Sequence, residues 1–94
     1  MSTPFYTVAA IHDLEDILRF IARDKPGAAV SWVERIEAKC IAIAETPDIG
    51  QLMPQLGKDV RASVVGRYMI FHRHVGGRLE VLRVIAGGAE VTQL

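Results

Sequence analysis

The segment "RYMIFHRHVGGRLEVLRVIA", residues 67–86, holds two apolar runs on either side of two consecutive glycines. The runs are rich in Val, Ile, Leu, Phe and Tyr, which favour β-strands, and Gly76-Gly77 is typical of a tight hairpin turn. We therefore predict two antiparallel strands, over residues 67–75 and 78–86.

Two amphipathic helices are predicted ahead of this hairpin, over about residues 10–23 and 26–44. Apolar side chains recur at helical spacing in the first, at Leu14, Ile17, Leu18 and Ile21, and in the second, at Ala29, Val33, Ile36, Cys40 and Ile43. Pro26 cannot continue a helix but suits the first position of one, so it separates the two. Because the connection is short, the helices should pack as an antiparallel hairpin.

The remaining sequence completes the order of elements. Shorter apolar runs predict strands over residues 6–9 and 60–65, and residues 47–57 have the Pro, Gly and Asp content of an irregular loop. This order predicts an α+β fold of two layers, in which an N-terminal strand and the helical hairpin pack on a mostly antiparallel sheet of three to four strands. A chain of 94 residues can bury one core, so we expect one domain over residues 1–94.

Composition restricts the cellular setting. Half of the residues are hydrophobic, but no apolar run approaches the roughly 18 residues that span a bilayer. The N-terminus also has no basic residue ahead of an apolar stretch, as an export signal would. We therefore expect a cytoplasmic protein without a membrane partner. The single cysteine, Cys40, cannot form a disulfide within the chain, and its place on the helical stripe predicts a buried thiol.

Charge is unevenly distributed, although 11 basic and 11 acidic residues cancel. Residues 1–57 hold five basic and eight acidic side chains, whereas residues 58–83 hold six basic and two acidic ones. Five of those six cations are arginines, which offer a planar fork of donors suited to carboxylates and phosphates. We therefore predict a basic surface on the second half of the chain.

Strand alternation assigns the side chains of the hairpin to two faces. In residues 67–75, one face receives Arg67, Met69, Phe71, Arg73 and Val75, and the other receives Tyr68, Ile70, His72 and His74. In residues 78–86, Leu79, Val81, Arg83 and Ile85 alternate with Arg78, Glu80, Leu82, Val84 and Ala86. Since the helical hairpin covers one face, the other should expose an apolar surface bordered by arginines, which is typical of a partner-binding site.

Catalytic and metal-binding patterns are weak by comparison. His72 and His74 face the same side of a strand, which is a permissible spacing for metal ligands, but no third ligand lies at a plausible place. We therefore interpret them as partly exposed residues at a strand end, and we expect neither a metal nor another cofactor. The sequence also lacks a glycine-rich phosphate loop.

The ordered set of these features resembles the ParE-type toxins of the RelE/ParE superfamily of bacterial toxin-antitoxin systems. The similarity covers most of the chain and rests on Asp13-Leu14 with Ile17, Pro26 with Ala29, Pro47-Asp48-Ile49-Gly50, Arg67-Tyr68-Met69-Ile70-Phe71 and Leu82-Arg83-Val84-Ile85. It implies a cytoplasmic toxin, with a helical hairpin on an antiparallel sheet, that inhibits DNA gyrase without catalysis and serves plasmid or chromosome maintenance. It also implies a ParD-like antitoxin that neutralises the toxin and binds the operator, so that this chain itself makes no sequence-specific contact with DNA.

Two alternatives to gyrase inhibition remain open. In the first, the chain is a ribosome-dependent messenger-RNA endonuclease of the RelE type, in which Arg61, Arg67 and Arg83 would hold phosphate charge. In the second, the chain binds its antitoxin but has lost toxicity. The candidate contact residues for a target or an antitoxin are Arg61, Arg67, Met69, Phe71, Arg73, Arg83 and Glu90.

The C-terminal segment motivates the second alternative. In the family, the last strand commonly continues into a segment like His-Gly-Ala-Arg-Asp. Here Ala86, Ala89 and Glu90 stand where the histidine, arginine and aspartate would lie. These replacements remove acid-base and phosphate-holding groups that RelE-type cleavage could use, and the same segment could contribute to gyrase inhibition.

Overall fold

A computed structural model of the chain describes residues 3–88 and residue 94. Its elements, in chain order, are β1 (Phe5–Tyr6), α1 (Val8–Ala22), α2 (Pro26–Ala44), β2 (Gln51–Leu52), a 3-10 turn (Pro54–Leu56), β3 (Arg61–Val65), β4 (Tyr68–Val75) and β5 (Arg78–Ala86). The strands form one sheet in the order β1-β5-β4-β3-β2, in which β1 runs parallel to β5 and the other pairs are antiparallel. The predicted α+β class is confirmed, although five strands form this sheet instead of three to four. Neither helix in this described part of the chain is long and apolar enough to cross a membrane.

The N-terminal strand is shorter than the predicted residues 6–9, because the first helix begins earlier than expected. The Oγ1 of Thr7 accepts a hydrogen bond from the Ala10 backbone N–H at 3.0 Å, so Thr7 caps α1 and Val8 is its first residue. The same hydroxyl donates to the Leu82 carbonyl oxygen at 2.8 Å. One threonine therefore holds the start of α1 against β5.

The predicted loop over residues 47–57 contains two short ordered elements. Gln51 and Leu52 form β2, which pairs with the start of β3 at the edge of the sheet. The Met53 backbone N–H then donates to the Val60 carbonyl oxygen at 2.8 Å, across the 3-10 turn. A two-residue strand shows no periodicity in the sequence, so this addition to the sheet depends on its partner strand.

The helical hairpin packs on one face of the sheet and buries the main core. This core joins residues of both helices to residues of three strands, including Ile17, Ile36, Cys40, Ile43, Tyr68, Ile70, Leu79, Val81 and Val84. The predicted burial of Cys40 is confirmed, and that burial raises the pKa of its thiol to about 11. The thiol is therefore protonated at neutral pH and acts as a core side chain.

The strict alternation predicted for the last strand is wrong in its second half. Leu82 has no Cα partner in β4, because the register shifts between Phe71 and His72. Such a β-bulge reverses the faces of the side chains that follow it. Val84 therefore joins the core under the helices, and Arg83 lies opposite Phe71 on the other face of the sheet.

The turn between β3 and β4 holds Arg67, which the sequence predicts as the first residue of the strand. Gly66 adopts a positive φ of 59°, and a Cβ atom there would lie 2.4 Å from the ring of Trp32. The Gly87 backbone N–H donates to the Arg67 carbonyl oxygen at 2.6 Å. The turn is therefore held between α2 and the end of β5, with Arg67 at its corner.

Candidate interaction site

Arg83, a candidate contact residue, is bound to a carboxylate of the chain itself. Its Nε and Nη2 donate to the two carboxylate oxygens of Asp13 in α1, at 2.7 and 2.9 Å. The same carboxylate accepts a hydrogen bond from the Val84 backbone N–H at 2.9 Å. The hydrogen bonds to Asp13 raise the pKa of the Arg83 guanidinium further above its usual value. The ion pair between Arg83 and Asp13 therefore joins β5 to α1.

Arg73 is also paired within the chain. Its Nε donates to Glu80 Oε1 at 2.8 Å, directly across β4 and β5. Arg73 and Arg83 both line a groove of about 330 Å³, together with Leu56 and Leu82. Two arginines of the predicted set therefore line this groove, and each of them is already in an ion pair with a carboxylate of the chain.

The face of the sheet opposite the helices is less exposed than the sequence predicts. Phe71 is 2% exposed, and its cross-strand neighbour Ala62 is also buried. Met69 is half-buried between Val64 and Ile85 of the flanking strands, and Val64 is 60% exposed. In this conformation a partner reaches Met69 and its neighbours but not Phe71.

Arg61 and the histidines lie near the other end of β4. The Nη1 of Arg61 donates to the Gly50 carbonyl oxygen at 3.0 Å, and this contact holds the chain ahead of β2. His72 is fully buried, and its Nε2 shares a hydrogen bond of 2.9 Å with the Ser63 hydroxyl. The interpretation of both histidines as partly exposed is therefore wrong for His72 and confirmed for His74.

Burial also determines the charge of His72. Burial, with smaller contributions from the neighbouring His74 and Arg61, lowers the pKa of the imidazole to about 4. The ring is therefore neutral at pH 7. The Nδ1 of His72 and the Nε2 of His74 are buried without a hydrogen-bond partner. Over residues 3–88, no three side chains of the metal-ligating types cluster as a metal site would require.

Arg67 differs from the other arginines of the set. It is exposed, and its guanidinium lies 5.9 Å from the centroid of the Tyr68 ring. In the described part of the chain, no carboxylate forms an ion pair with it. Two shallow grooves, of about 290 and 260 Å³, meet at Arg67, Tyr68 and Phe20. We call these three residues, with the two grooves, the Arg67 surface.

The sequence analysis did not include Phe20 among the candidate residues. Phe20 lies outside the apolar stripe of α1 and is 59% exposed. A large aromatic residue on the polar face of an amphipathic helix is the sequence signal that could have identified it. Glu90, the last candidate residue, lies outside the described residues.

The geometry favours binding at two places with different character. In the groove beside Arg73 and Arg83, both arginines are paired with carboxylates of the chain. The Arg67 surface instead combines an exposed aromatic side chain with an arginine that has no acidic partner in residues 3–88. Aromatic residues and arginine are the side chains most enriched at the centres of protein interfaces. The Arg67 surface is therefore the stronger candidate for contact with another protein.

Comparison with known proteins identifies a family. Residues 5–89 match the family described as the ParE toxin of the type II toxin-antitoxin system parDE. The fold is similar to that of a chain from the chromosomal ParDE toxin-antitoxin system of P. aeruginosa, with 20% identity, a TM-score of 0.78 and coverage of 93% of this chain and 97% of that one.

Two RelE-type structures are also similar. The isolated E. coli RelE toxin matches with 16% identity and a TM-score of 0.64 over 96% of this chain and 88% of that one. A chain of the intact E. coli RelBE toxin-antitoxin complex matches with 18% identity and a TM-score of 0.64 over 97% and 100%. At these identities the structural matches show the fold alone. A search of the curated proteins finds no match.

Proposed function

The chain belongs to the ParE toxin family of type II toxin-antitoxin systems, and from this membership we propose that it acts by binding DNA gyrase and is neutralised by a ParD-like antitoxin. The proposed activity is inhibition by contact, without catalysis by this chain. Because gyrase acts on the chromosome, we place this activity in the cytoplasm.

The pairing of Arg83 with Asp13 is the observation that carries the proposal of binding over cleavage. RNA cleavage without a metal needs cations that are free to stabilise charge developing on the phosphate. Arg83 has its Nε and Nη2 donors on Asp13, and Arg73 has its Nε on Glu80. A carboxylate therefore already compensates the charge of each arginine and would repel a phosphate, which argues against an endonuclease site in this groove.

The buried histidine supports the same proposal. A general base must reach the proton that it removes. His72 is fully buried and has a pKa lowered to about 4, so it is neither accessible nor tuned to neutral pH. His74, the remaining histidine of β4, is partly exposed, but its Nε2 is buried.

An antitoxin partner is proposed from the kind of system to which the related proteins belong. The structures with similar folds include one from a ParDE system and one from a RelBE toxin-antitoxin complex. By analogy, we expect a gene beside this one to encode an antitoxin that binds this chain. An adjacent reading frame for a DNA-binding domain with an amphipathic tail would support this part of the proposal.

The experiment that tests the function compares two targets with the same protein preparation. Purified chain, freed of antitoxin, is added to a DNA gyrase supercoiling assay and to ribosomes translating a messenger RNA. We expect inhibition of supercoiling, restoration of activity by the antitoxin, and intact messenger RNA. Relaxation by topoisomerase I serves as the control, since a general effect on DNA would inhibit it as well.

The two alternatives give different results in this experiment. Codon-dependent cleavage of the ribosome-bound messenger RNA would replace the proposal with the RelE-type endonuclease. No effect on either target, with antitoxin binding retained, would instead identify a chain that has lost toxicity.

A further inference from the structure

We propose that the Arg67 surface is a docking site for an acidic segment of the antitoxin that carries an aromatic or aliphatic anchor. The anchor would pack against Phe20, and a carboxylate beside it would pair with Arg67. The inference rests on the proposed function in one respect, because it takes the antitoxin as the source of the segment.

The apolar part of the site is formed by residues of both helices and of the sheet. Phe20 is 59% exposed and separates the two grooves. The groove walls are contributed mostly by apolar side chains, namely Ile17, Ile21, Ala28, Trp32, Tyr68 and Ala86. An anchor that enters either groove would therefore remove apolar surface from water on both partners.

The charge of the site favours an acidic partner. Lys25 lines one groove beside Arg67, and the guanidinium of Arg35 lies 4.5 Å from the centroid of the Trp32 ring. Two carboxylates also reach the grooves. One of them, Asp16, is already paired with Arg19 at 2.8 Å, and the other is Asp24. Among the residues that line the grooves, two cations, Arg67 and Lys25, therefore stand against one carboxylate, Asp24, that has no ion pair in residues 3–88.

The same arrangement disfavours a nucleic acid. A strand of nucleic acid places a row of phosphates along the protein, and both grooves contain a carboxylate, Asp16 in one and Asp24 in the other. A short peptide can place one carboxylate at Arg67 and turn its other side chains away. We therefore assign the site to a peptide segment instead of single-stranded RNA or DNA.

The position of Arg67 is set before binding. The turn that carries it is held against Trp32 at Gly66, and the Gly87 backbone N–H donates to the Arg67 carbonyl oxygen at 2.6 Å. A side chain on a fixed backbone loses less conformational entropy when it binds, so more of its interaction energy contributes to affinity. This is the property expected of a central contact.

The test uses two synthetic twelve-residue peptides with the same leucine anchors, one carrying glutamates and the other lysines at the remaining charged positions. Trp32 is the single tryptophan of the chain, and its ring lies 5.7 Å from that of Tyr68, so its fluorescence reports binding at this site. We expect the acidic peptide to change the fluorescence with an affinity that falls as salt rises, and the basic peptide to bind at least about tenfold more weakly.

A matched pair of variants locates the binding. Arg67→Glu should weaken the acidic peptide about tenfold or more at low salt. The control is Arg78→Glu at the opposite end of the sheet, where the guanidinium lies 5.3 Å from the centroid of the Phe5 ring. Phe20→Ala and Phe5→Ala form a second pair, in which only Phe20→Ala should reduce affinity. All four positions are exposed, so thermal unfolding should show that each variant folds.

Three outcomes would overturn the inference. One is equal binding of the acidic and basic peptides, and another is equal affinity of the Arg67→Glu and Arg78→Glu variants for the acidic peptide. The third is tighter binding of a twelve-nucleotide oligothymidine than of the acidic peptide, with the same dependence on Arg67, which would assign the surface to nucleic acid.

The source of the segment is tested separately with the antitoxin encoded beside the chain. We expect Arg67→Glu, but not Arg78→Glu, to weaken the toxin-antitoxin complex about tenfold at low salt. If the antitoxin binds both variants equally, the inference fails while the proposed function stands. If the acidic peptide binds through Arg67 but the wild-type chain has no effect on gyrase, the proposed target fails and the docking site stands.

Discussion

Arg67 and Arg83 come from the same predicted hairpin, yet the structure gives them opposite roles. Arg83 donates two hydrogen bonds to Asp13, and both side chains are largely shielded, at 33% and 13% exposed. Arg67 lies at the corner of a turn, beside the exposed Phe20. The comparison teaches that the availability of an arginine to a partner depends on whether the fold places a carboxylate within its reach.

Local structure explains why Arg83 is paired within the chain and why Arg67 is exposed. The bulge at Leu82 turns Arg83 away from the core, and the cap at Thr7 brings the first turns of α1, with Asp13, to the edge of β5. In the turn between β3 and β4, the positive φ of Gly66 allows the backbone to lie close against the ring of Trp32. Arg67, the next residue of this turn, is exposed. Arg83 is therefore held in an ion pair within the chain, whereas Arg67 is exposed to a partner.

The largest effect is expected from breaking the turn that presents Arg67. Gly66→Ala should destabilise the protein by about 3 kcal/mol, because a Cβ atom would overlap the Trp32 ring and the positive φ disfavours any other residue. Gly76→Ala is the matched control, since its φ is 58° but no atom lies within 4 Å of its Cβ position, so it should cost only about 1 kcal/mol. Urea denaturation measures both, and equal losses would contradict the close contact with Trp32.

The next largest loss of stability should come from breaking the ion pair between Arg83 and Asp13. Asp13→Ala removes two charged hydrogen bonds to Arg83 and one to the Val84 backbone N–H, so we expect a loss of about 2–3 kcal/mol in the free energy of unfolding. Asp16→Ala, which breaks the exposed ion pair with Arg19, should cost less than about 0.5 kcal/mol. If the two variants were equally stable, Arg83 would not be held as the structure indicates.

A smaller effect should appear as pH dependence near Arg61. Burial lowers the pKa of His72 from its ordinary value of 6.5 to about 4, so between these values the unfolded chain binds a proton that the folded chain does not. The free energy of unfolding should therefore decrease as the pH falls from 6.5 to 4, by about 1–2 kcal/mol after allowance for solvent screening.

Two variants separate this contribution from that of other groups. His72→Gln should flatten the decrease in a series of urea denaturations between pH 7 and pH 4. His12→Gln, at an exposed position of α1, should leave it unchanged. A wild-type slope in the His72→Gln variant would show that the imidazole is not neutral and buried in the folded protein.

The smallest effect on stability is expected at Arg73, which is paired like Arg83 but is more exposed. Its ion pair with Glu80 has side chains that are 40% and 23% exposed, so a double-mutant cycle with Arg73→Ala and Glu80→Ala should give a coupling of about 0.5–1 kcal/mol. High salt should reduce that coupling. A coupling as large as the loss from Asp13→Ala would remove the distinction between a shielded and a surface pair.

The sequence predicted the helices and central strands well, because their signals are local. The range of α2 and that of the last strand match residues 26–44 and 78–86, and Pro26 and the pair Gly76-Gly77 mark where these two elements begin. The start of α1 was placed two residues too late, because the capping role of Thr7 also depends on its contact with β5. The bulge at Leu82 has no local signal and changed the faces of the four side chains that follow it in the last strand.

The candidate site could be predicted only as a set of residue types. Arginines concentrated in residues 58–83 predicted a basic region, and strand alternation predicted one shared face for Arg67 and Arg73. The carboxylate that binds Arg83 lies 70 residues earlier in the chain, and no periodic pattern relates the two positions. Phe20 did have a signal in the sequence, an aromatic side chain on the polar face of α1, but its importance depends on the turn that the fold brings beside it.

The sequence by itself therefore determined the fold class, the family resemblance and the presence of an arginine-rich half, because each follows from the spacing or type of neighbouring residues. Only the tertiary structure decided which arginine is open to a partner. That choice depends on which groups lie within hydrogen-bond distance after the chain has folded, because a carboxylate bound to a guanidinium compensates its charge and occupies part of its donor fork.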